Sequence, residues 1–366
     1  MTTLNLSPVV IMAGGTGGHV IPALSVAAEL QQRGVGVEWL GTHAGIESKL
    51  VPSAGIRIHW LSISGFRGKG KATLLLAPFK LIRAVAQAAS ILRQIQPQAV
   101  LGMGGFASGP GGIAARLLGI RLVIHEQNAV AGMTNSWLAK VAQVVAYAFN
   151  GAFAESAKGE LVGNPVRDSI AALPAPAERF AGRDGKTNIL VIGGSQGAMA
   201  LNQVVPQALA SMKHAAQVQV RHQCGNRFVE SAQQAYGQDF SNVTIEPFID
   251  DMAEAYAWAD LVVCRSGALT IAEVAAAGVG AIMVPFPYAV DDHQTVNAAV
   301  IENAGGGSIR QQSNLTAESL AAELDELVVD RPRLLAMAEA SRSVAVIGSA
   351  SRLADICLGS NAGEAS

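Results

Sequence analysis

Residues 265–273 read Arg-Ser-Gly-Ala-Leu-Thr-Ile-Ala-Glu, and they join a short apolar run, Leu261 to Cys264, to a segment rich in helix-forming residues. The apolar run has the length and composition of a buried parallel strand. Because Ser266 and Gly267 are small enough for a tight turn, we predict that the first N–H groups of the following helix face the carboxyl end of this strand. A helix start of this kind binds anions through its unpaired N–H groups and its dipole.

Glu273 lies about one turn inside the predicted helix. It is too far from the helix start to act as a cap, but its carboxylate can accept hydrogen bonds from a diol such as a ribose. The nine residues alone leave open the alternative of an ordinary capped helix with a surface glutamate.

The composition indicates two α/β domains in a reducing compartment. The chain has 366 residues, of which 50% are hydrophobic and 39 are glycine. This length exceeds one usual core, and the glycines suit tight strand-to-helix turns. The three cysteines form neither a close pair nor a metal-ligand spacing, which is typical of a cytoplasmic protein.

Two features bear on export and membrane insertion. The first residues lack a basic segment followed by an apolar core, so we expect no signal peptide. The stretch 274–290 has no charged side chain before Asp291 but contains two glycines and two prolines. It therefore favours a helix end, a turn and a strand over 281–284 rather than a membrane span.

Charge is distributed unevenly along the chain, although the net charge is only −2. Between Glu47 and Glu126 there is no Asp or Glu, whereas the same stretch is rich in Lys and Arg. A run this one-sided indicates an anionic partner.

Within that basic stretch, apolar residues recur at helical spacing. These are Leu75, Phe79 and Ile82, with Lys80 and Arg83 beside them. An apolar stripe with basic neighbours suits contact with an anionic bilayer surface. A stripe that faces the protein core, with a solvated basic face, is the alternative that the pattern leaves open.

The chain opens with a strand, a glycine-rich loop and a helix. Residues 9–13 predict the strand, Gly14-Gly15-Thr16-Gly17-Gly18-His19 the loop, and residues 21–32 the helix. The match to a dinucleotide-binding loop is poor, because Val20 stands where Gly or Ala is required and Glu38 lies inside the second strand. We interpret the loop as lining a site and offering the His19 imidazole; a structural turn is the alternative.

Two later segments extend this pattern. The strand over 122–124 is followed by His125, Glu126, Gln127 and Asn128, and open α/β sheets bind ligands where their strands end. From residue 189 onward the opening pattern of strand, glycines and helix begins again. Two such starts predict two doubly wound α/β sheets in one chain.

Several motifs, taken in order, carry a resemblance to a known family. They are Gly14 to His19, Gly104 to Pro110, His125 to Asn128, Gly163 to Arg167, Gly193 to Ala198, Phe248 to Met252, Arg265 to Glu273 and the region of Gln294. In order and spacing they resemble the MurG family of glycosyltransferase family 28, UDP-N-acetylglucosamine transferases that complete the lipid-linked disaccharide of bacterial peptidoglycan. The resemblance covers nearly the whole chain.

The resemblance implies a GT-B fold, in which two Rossmann-like domains face each other across a cleft. It places residues 1–163, with a returning segment at about 341–358, in a domain that faces the acceptor and the membrane. Residues 164–340 would form the UDP-GlcNAc-binding domain.

The resemblance also implies a set of donor contacts. These are Thr16, Gly17, Gly18, Asn128, Arg167, Ser195, Ile249, Ala268, Leu269, Thr270, Ile271, Ala272, Glu273 and Gln294. The backbone N–H and C=O of Ile249 can match the edge of uracil. Phe106 and His293 depart from the residues common in the family, Tyr and Gln.

We expect inverting transfer of GlcNAc to the C4 hydroxyl of a muramyl sugar. The D-x-D pattern of metal-dependent sugar-nucleotide sites is missing, so we expect neither a metal nor another cofactor, and the helix start would stabilise the leaving UDP. His19 is the first candidate for the base and Glu126 the second. The expected partners are UDP-GlcNAc, a lipid-linked muramyl-pentapeptide and anionic lipids at the cytoplasmic face of the inner membrane, and no nucleic acid.

Three other functions remain open at this point. A UDP-GlcNAc epimerase on the same fold would not need the basic stretch. A nicotinamide dehydrogenase would need the missing third glycine. A non-catalytic binder of anionic lipid would not release UDP.

Overall fold

The computed structural model describes residues 7–63, 77–153, 159–194, 197–237 and 241–359. The chain divides into two compact units, Met1–Pro165 with Gly348–Ser366, and Val166–Ile347. Each unit contains one parallel sheet with helices against it.

The first unit contains seven strands and six described helices. In chain order they are β1 (Val9–Met12), α1 (Gly17–Gln32), β2 (Val37–Gly41), α2 (Glu47–Ser53), β3 (Arg57–Trp60), α3 (Ala77–Ile95), β4 (Ala99–Gly102), α4 (Ser108–Leu117), β5 (Arg121–Glu126), α5 (Met133–Leu138), β6 (Val144–Tyr147), β7 (Gly159–Leu161) and, at the end of the chain, α15 (Ser349–Leu358).

The second unit contains six strands and nine described α-helices. They are α6 (Asp168–Ala171), α7 (Pro176–Phe180), β8 (Thr187–Ile192), α8 (Met199–Ser211), β9 (Val218–Gln223), α9 (Val229–Tyr236), β10 (Val243–Glu246), α10 (Met252–Trp258), β11 (Leu261–Cys264), α11 (Ala268–Ala277), β12 (Gly280–Met283), α12 (His293–Asn303), β13 (Gly307–Ile309), α13 (Ala317–Val328) and α14 (Arg331–Ser343).

The first sheet has the order β3-β2-β1-β4-β5-β6-β7, with every pairing parallel. Its central strand alternates between two cores: Val9 and Ile11 pack into one cluster, and Val10 and Met12 into the other. Burial on both faces explains why the strand is a continuous apolar run rather than an alternating one.

The second sheet has the order β10-β9-β8-β11-β12-β13, again entirely parallel. In both sheets the chain first adds strands on one side of the first strand and then adds strands on its other side. The strand order therefore reverses between β1 and β4 and between β8 and β11. The predicted pair of doubly wound sheets is therefore confirmed. Ligands of such sheets bind beside the carboxyl ends of the strands at the point of reversal.

The last described helix, α15, packs against α1 in the first unit. Leu353 and Ile356 enter the same core as the apolar face of α1, and Arg33 forms an ion pair with Asp355. The segment returns at Gly348 rather than near residue 341, because α14 continues to Ser343 and packs within the second unit.

The uncharged stretch from residue 274 is the end of α11, a turn and β12, as predicted. Gly278 takes the left-handed conformation that ends α11. Across the described ranges, no helix combines the length and the apolar character needed to cross a bilayer.

Candidate functional site

The first glycine-rich segment is a helix start. Thr16 takes an extended conformation and is the N-cap of α1, so the helix begins at Gly17 rather than at the predicted Ile21. Gly17, Gly18 and His19 therefore form its first turn, and no acidic residue lies there. Unpaired N–H groups in this turn can bind an anion or a polar sugar group.

A buried carboxylate, that of Glu47, forms hydrogen bonds beside this segment. Glu47 is fully buried and accepts hydrogen bonds from Gly15 N (2.9 Å), Thr42 N (3.1 Å) and Thr42 Oγ1 (2.8 Å). Glu47 is not predictable from the sequence, because nothing around it indicates a contact with a loop earlier in the chain. Its carboxylate fixes the backbone just before the helix start.

His19 lies at the carboxyl ends of the central strands. Its Nδ1 is 2.9 Å from Gln127 Oε1, beyond the end of β5. Gly104 follows β4 with a φ of 101°, and a Cβ there would lie only 2.7 Å from His19 Nδ1. The imidazole is therefore held between two loops, and the glycine is needed both for its backbone conformation and for space.

The four polar residues at the end of β5 do not share one environment. His125, Glu126 and Gln127 are buried, and only Asn128 is partly exposed. Because β5 continues to Glu126, these side chains extend into the protein rather than into solvent. Gln127 is buried under His19, and the sequence analysis had not separated it from the rest of the cluster.

Glu126 is engaged on both carboxylate oxygens. Oε1 accepts from the backbone N and the side-chain Nδ2 of Asn128, and Oε2 accepts from Gly132 N and Asn135 Nδ2. Both oxygens are therefore already occupied by hydrogen bonds from the protein. This environment favours a role in holding Asn128, and it speaks against Glu126 as the alternative base.

In the second unit, the join between β11 and α11 has the predicted form. The strand ends at Cys264 and the helix begins at Ala268, with Gly267 as an N-cap that has no side chain to occupy the first N–H groups. Arg265 fixes the turn, because its Nη1 donates to the carbonyls of Val284 and Pro285 and its Nη2 to Gln312 Oε1. The helix therefore starts at the point of reversal of the sheet, with no acidic residue in its first turn.

Glu273 is buried, and its carboxylate contacts two side chains. Oε1 accepts from Arg167 Nη2 (3.0 Å), and Oε2 accepts from the Tyr256 hydroxyl (3.3 Å). Burial raises the pKa of Glu273, and Arg167 opposes that shift. A carboxylate offers about four acceptor positions, so two remain for a bound diol. Arg167 and Glu273 were predicted as separate contacts; the structure joins them through a hydrogen bond and adds Tyr256 as a second partner of Glu273.

The remaining donor-contact candidates of the second unit lie on loops and helix starts. Gln294, in the first turn of α12, accepts from Phe286 N through Oε1. Ile249 is buried between β10 and α10, so only its backbone is suited to recognition. On α11, Ala268 and Ile271 are buried, whereas Leu269, Thr270 and Ala272 are partly exposed. Ser195 lies outside the described residues.

The apolar stripe of α3 does not face the core. Phe79 and Ile82 are 72% and 66% exposed, and Lys80 and Arg83 are exposed beside them. The core-facing alternative is therefore wrong for these two residues, and Leu75 lies outside the described residues. Two exposed apolar residues on the adjoining helices, which the sequence did not predict, are Leu117 on α4 and Trp137 on α5.

Thus the structure brings the candidates together within each unit. In the first unit, Thr16 to His19 lie at the end of β1, and Asn128 follows β5 two strands away. In the second unit, Arg167 contacts Glu273 on α11, which packs against the helix that carries Gln294.

Both parts of the chain match models of known protein families. Residues 9–147 match the glycosyltransferase family 28 N-terminal domain, and residues 188–354 match the glycosyltransferase family 28 C-terminal domain. These two matches fall on the first and second sheets.

Similar proteins match over almost the entire chain. A protein of Marinobacter nauticus named UDP-N-acetylglucosamine–N-acetylmuramyl-(pentapeptide) pyrophosphoryl-undecaprenol N-acetylglucosamine transferase is 53% identical over 95% of this chain and 96% of its own. A protein of the same name from Xanthomonas campestris is 54% identical over 97% of this chain and 82% of its own.

Solved structures agree with the sequence relatives. The crystal structure of Acinetobacter baumannii MurG matches with a TM-score of 0.84 and 43% identity, over 96% of this chain and 99% of that one. A calicheamicin glycosyltransferase matches with a TM-score of 0.70 at 18% identity, over 97% of this chain and 98% of that one, which shows the shared fold alone. This chain belongs to glycosyltransferase family 28.

Proposed function

We propose that this protein transfers GlcNAc from UDP-GlcNAc to the C4 hydroxyl of the muramyl sugar of undecaprenyl-pyrophosphoryl-MurNAc-pentapeptide. The observation that carries the proposal is the 53% identity, across 95% of the chain, to a relative whose name states this donor sugar and this acceptor. The site residues supply a physical reason for each part of the reaction.

The second unit would bind the donor. The start of α11 suits a pyrophosphate, because the N-terminal end of a helix and its dipole favour negative charge and no acidic residue lies in the first turn. Glu273, one turn further along, has acceptor capacity for the two ribose hydroxyls. The backbone of Ile249 would pair with uracil, and Gln294 would contact the sugar. Asn128 and residues 16–18, which belong to the first unit, are retained as donor contacts from the family resemblance. Ser195 is retained from the family resemblance as a phosphate contact.

The chemical step is an in-line displacement. The acceptor O4 attacks the anomeric carbon as the bond from that carbon to the β-phosphate oxygen breaks, and the electron pair of the broken bond leaves on UDP. His19 takes the proton of the attacking hydroxyl. Charge that develops on the pyrophosphate is stabilised by donors that are already in place at the start of α11, which is the usual way that such sites lower a barrier.

UDP release from radiolabelled UDP-GlcNAc, with and without a short-chain lipid-linked muramyl acceptor, tests this function. We expect UDP and a disaccharide product only with the acceptor, at a rate that EDTA does not change. An epimerase would instead convert the donor without any acceptor. Absence of acceptor-dependent UDP release under conditions where UDP-GlcNAc binds would contradict the proposal.

Replacing Glu273 by alanine should weaken donor binding. Loss of a hydrogen bond to a charged group costs about 1.5–3 kcal/mol, so we expect the Kd of UDP-GlcNAc to rise roughly 10–100-fold for each ribose hydroxyl that loses its partner. Isothermal titration calorimetry measures this directly. Glu254→Ala, which removes a carboxylate exposed on the surface of the same unit, is the control. An unchanged Kd in the folded Glu273→Ala protein would remove the ribose role.

We further propose that the first unit binds the cytoplasmic face of the inner membrane through α3, α4 and α5. Exposed Phe79, Ile82, Leu117 and Trp137 lie on helices that pack side by side. Basic residues accompany them, and Lys140 lies 4.7 Å from the centre of the Trp137 ring. An apolar surface with a basic rim suits an anionic bilayer.

Replacing Phe79 and Ile82 together by serine should reduce binding to vesicles of phosphatidylglycerol and phosphatidylcholine roughly 100-fold, because full burial of each side chain is worth about 1.5–3 kcal/mol. Lys80→Ala and Arg83→Ala should each cost about fivefold, and only at low salt. Val329→Ser changes an exposed apolar residue of the other unit and is the control. Equal binding of the double variant and the control in co-sedimentation would refute membrane contact through α3.

A further inference from the structure

Three hydrogen bonds connect His19 to the backbone at Gly163. His19 Nδ1 lies 2.9 Å from Gln127 Oε1, Gln127 Nε2 lies 3.2 Å from His125 Nδ1, and His125 Nε2 lies 2.8 Å from the Gly163 carbonyl oxygen. His125 and Gln127 are buried, so water does not compete for these contacts. Of these hydrogen-bonded residues, only His19 has a role in the proposed reaction.

The position of each proton follows from the Gly163 end of this series of hydrogen bonds. The Gly163 carbonyl can only accept, so His125 Nε2 must carry a hydrogen. Burial lowers the pKa of His125 to about 4, so the ring is neutral near pH 7 and its Nδ1 has a lone pair. That lone pair needs a donor, which places the Gln127 Nε2 amide group against His125. The opposite orientation of the amide would set an oxygen against the lone pair.

With the amide oriented in this way, Gln127 presents an oxygen to His19. An amide oxygen can only accept, so His19 Nδ1 must carry the hydrogen and Nε2 must carry the lone pair. We propose that Gln127 is a positioning residue that holds His19 as the Nδ1–H tautomer, so that Nε2 is the nitrogen that takes the proton of the acceptor hydroxyl. This inference rests on the proposed role of His19 as the base.

Other contacts keep the amide in place. Asn164 Nδ2 donates to the Gln127 backbone oxygen (3.0 Å). Gln127 Nε2 also lies 3.3 Å from the His125 carbonyl oxygen, which is a second acceptor for the same group. The first contact fixes the backbone of Gln127, and the second favours the amide orientation that His125 requires.

The two carboxylates near these hydrogen bonds, Glu126 and Glu47, are bonded to other groups. The group that contacts His19 Nδ1 is therefore a neutral amide. Glu126, the neighbour of both His125 and Gln127, directs its oxygens to Asn128, Gly132 and Asn135. Glu47 directs its oxygens to Gly15 and Thr42. A carboxylate at Nδ1 would stabilise the imidazolium and hold a proton on the ring, whereas an amide fixes the tautomer without adding charge.

The test combines imidazole NMR with kinetics on the full chain. In ¹⁵N-histidine-labelled protein at high pH, His19 should be protonated at Nδ1. In Gln127→Leu the Nε2–H form should become populated, and kcat should fall roughly tenfold or more with little change in donor KM. Gln143→Leu, which alters another glutamine bonded to β5, is the control.

The Gln127→Glu variant tests for a positioning role, because replacing a merely structural residue would not shift the pH dependence of the reaction. The carboxylate sets one oxygen against His19 Nδ1 and the other against His125 Nδ1. While it is ionised, the Nδ1–H tautomer of His19 should persist, and the acid limb of kcat/KM should move up by about 1–3 pH units together with the titration midpoint of His19. Wild-type His19 protonated at Nε2, or a Gln127→Leu variant with normal kcat, would overturn the inference. A His19 midpoint that moves while the acid limb stays would leave the tautomer intact and remove His19 as the base.

Discussion

Replacing His19 by alanine should lower kcat roughly 10²–10⁴-fold, the usual contribution of a positioned general base. The donor KM should change little, since the uridine and ribose contacts that we propose lie in the second unit. The acid limb of the pH profile should flatten in the same variant, because the group that must lose its proton is gone. Measurement of kcat and KM with a saturating short-chain acceptor separates these effects.

The size of this effect depends on how His19 is held. Its ring is fixed by Gln127 on one side and by the close approach of Gly104 on another, so the side chain is already oriented before the acceptor binds. His214→Ala, in the other unit, is the control for a lost imidazole. A His19→Ala enzyme with near-normal kcat would exclude His19 as the base. Glu126 could then take the role only by giving up hydrogen bonds to Asn128, Gly132 and Asn135.

The parts of the fold that sequence could predict are those set by local chemistry. The buried strand at Leu261 to Cys264 and the turn at Gly267 follow from apolar run length and residue size, and the structure has both. The same holds for the turn at Gly278, which divides an uncharged stretch into helix and strand. Local pattern also identified Phe79 and Ile82, but whether they face solvent depends on what packs beside α3.

The parts that sequence could not predict are contacts between distant residues. Glu47 supports a loop 32 residues earlier in the chain, and Tyr256 contacts Glu273 from another helix. The family resemblance named Arg167 and Glu273 as separate ligands of the donor, and only the fold shows that they form an ion pair. Likewise, the polar residues at the end of the predicted strand indicated a site. The sequence did not show that β5 continues to Glu126, and that His125 and Gln127 are buried as a result.

Lowering the pH from about 7 to about 5 should destabilise both units through one buried histidine in each. Burial lowers the pKa of His125 and of His222 to about 4, from the ordinary 6.5. His222 is bonded as a neutral ring, between the Tyr236 hydroxyl at Nδ1 and Asn202 Oδ1 at Nε2. Protonation of His125 would set an N–H against the Gln127 amide group, so charging that ring breaks the chain that ends at His19.

The sign follows from proton uptake. Because the folded pKa lies below the unfolded one, the unfolded chain binds more protons between pH 4 and 6.5. The stabilisation is complete above that window and is lost as the pH falls through it. With 1.36 kcal/mol per pKa unit, each histidine should cost its unit about 2 kcal/mol between pH 7 and pH 5. In the second unit the raised pKa of Glu273 acts in the opposite direction.

Urea unfolding measured across this pH range, with one probe in each unit, should show separately how the stability of each unit depends on pH, since two units need not unfold together. His125→Gln should remove about one proton from the pH dependence of the first unit, and His222→Gln should do the same for the second. Each variant is the control for the other. If either substitution leaves the pH dependence of its own unit unchanged, the pKa of that histidine is not lowered in the fold. For His125, this result would leave the ring partly protonated near pH 7, and the orientation of Gln127 would then rest on its contact with the His125 carbonyl oxygen alone.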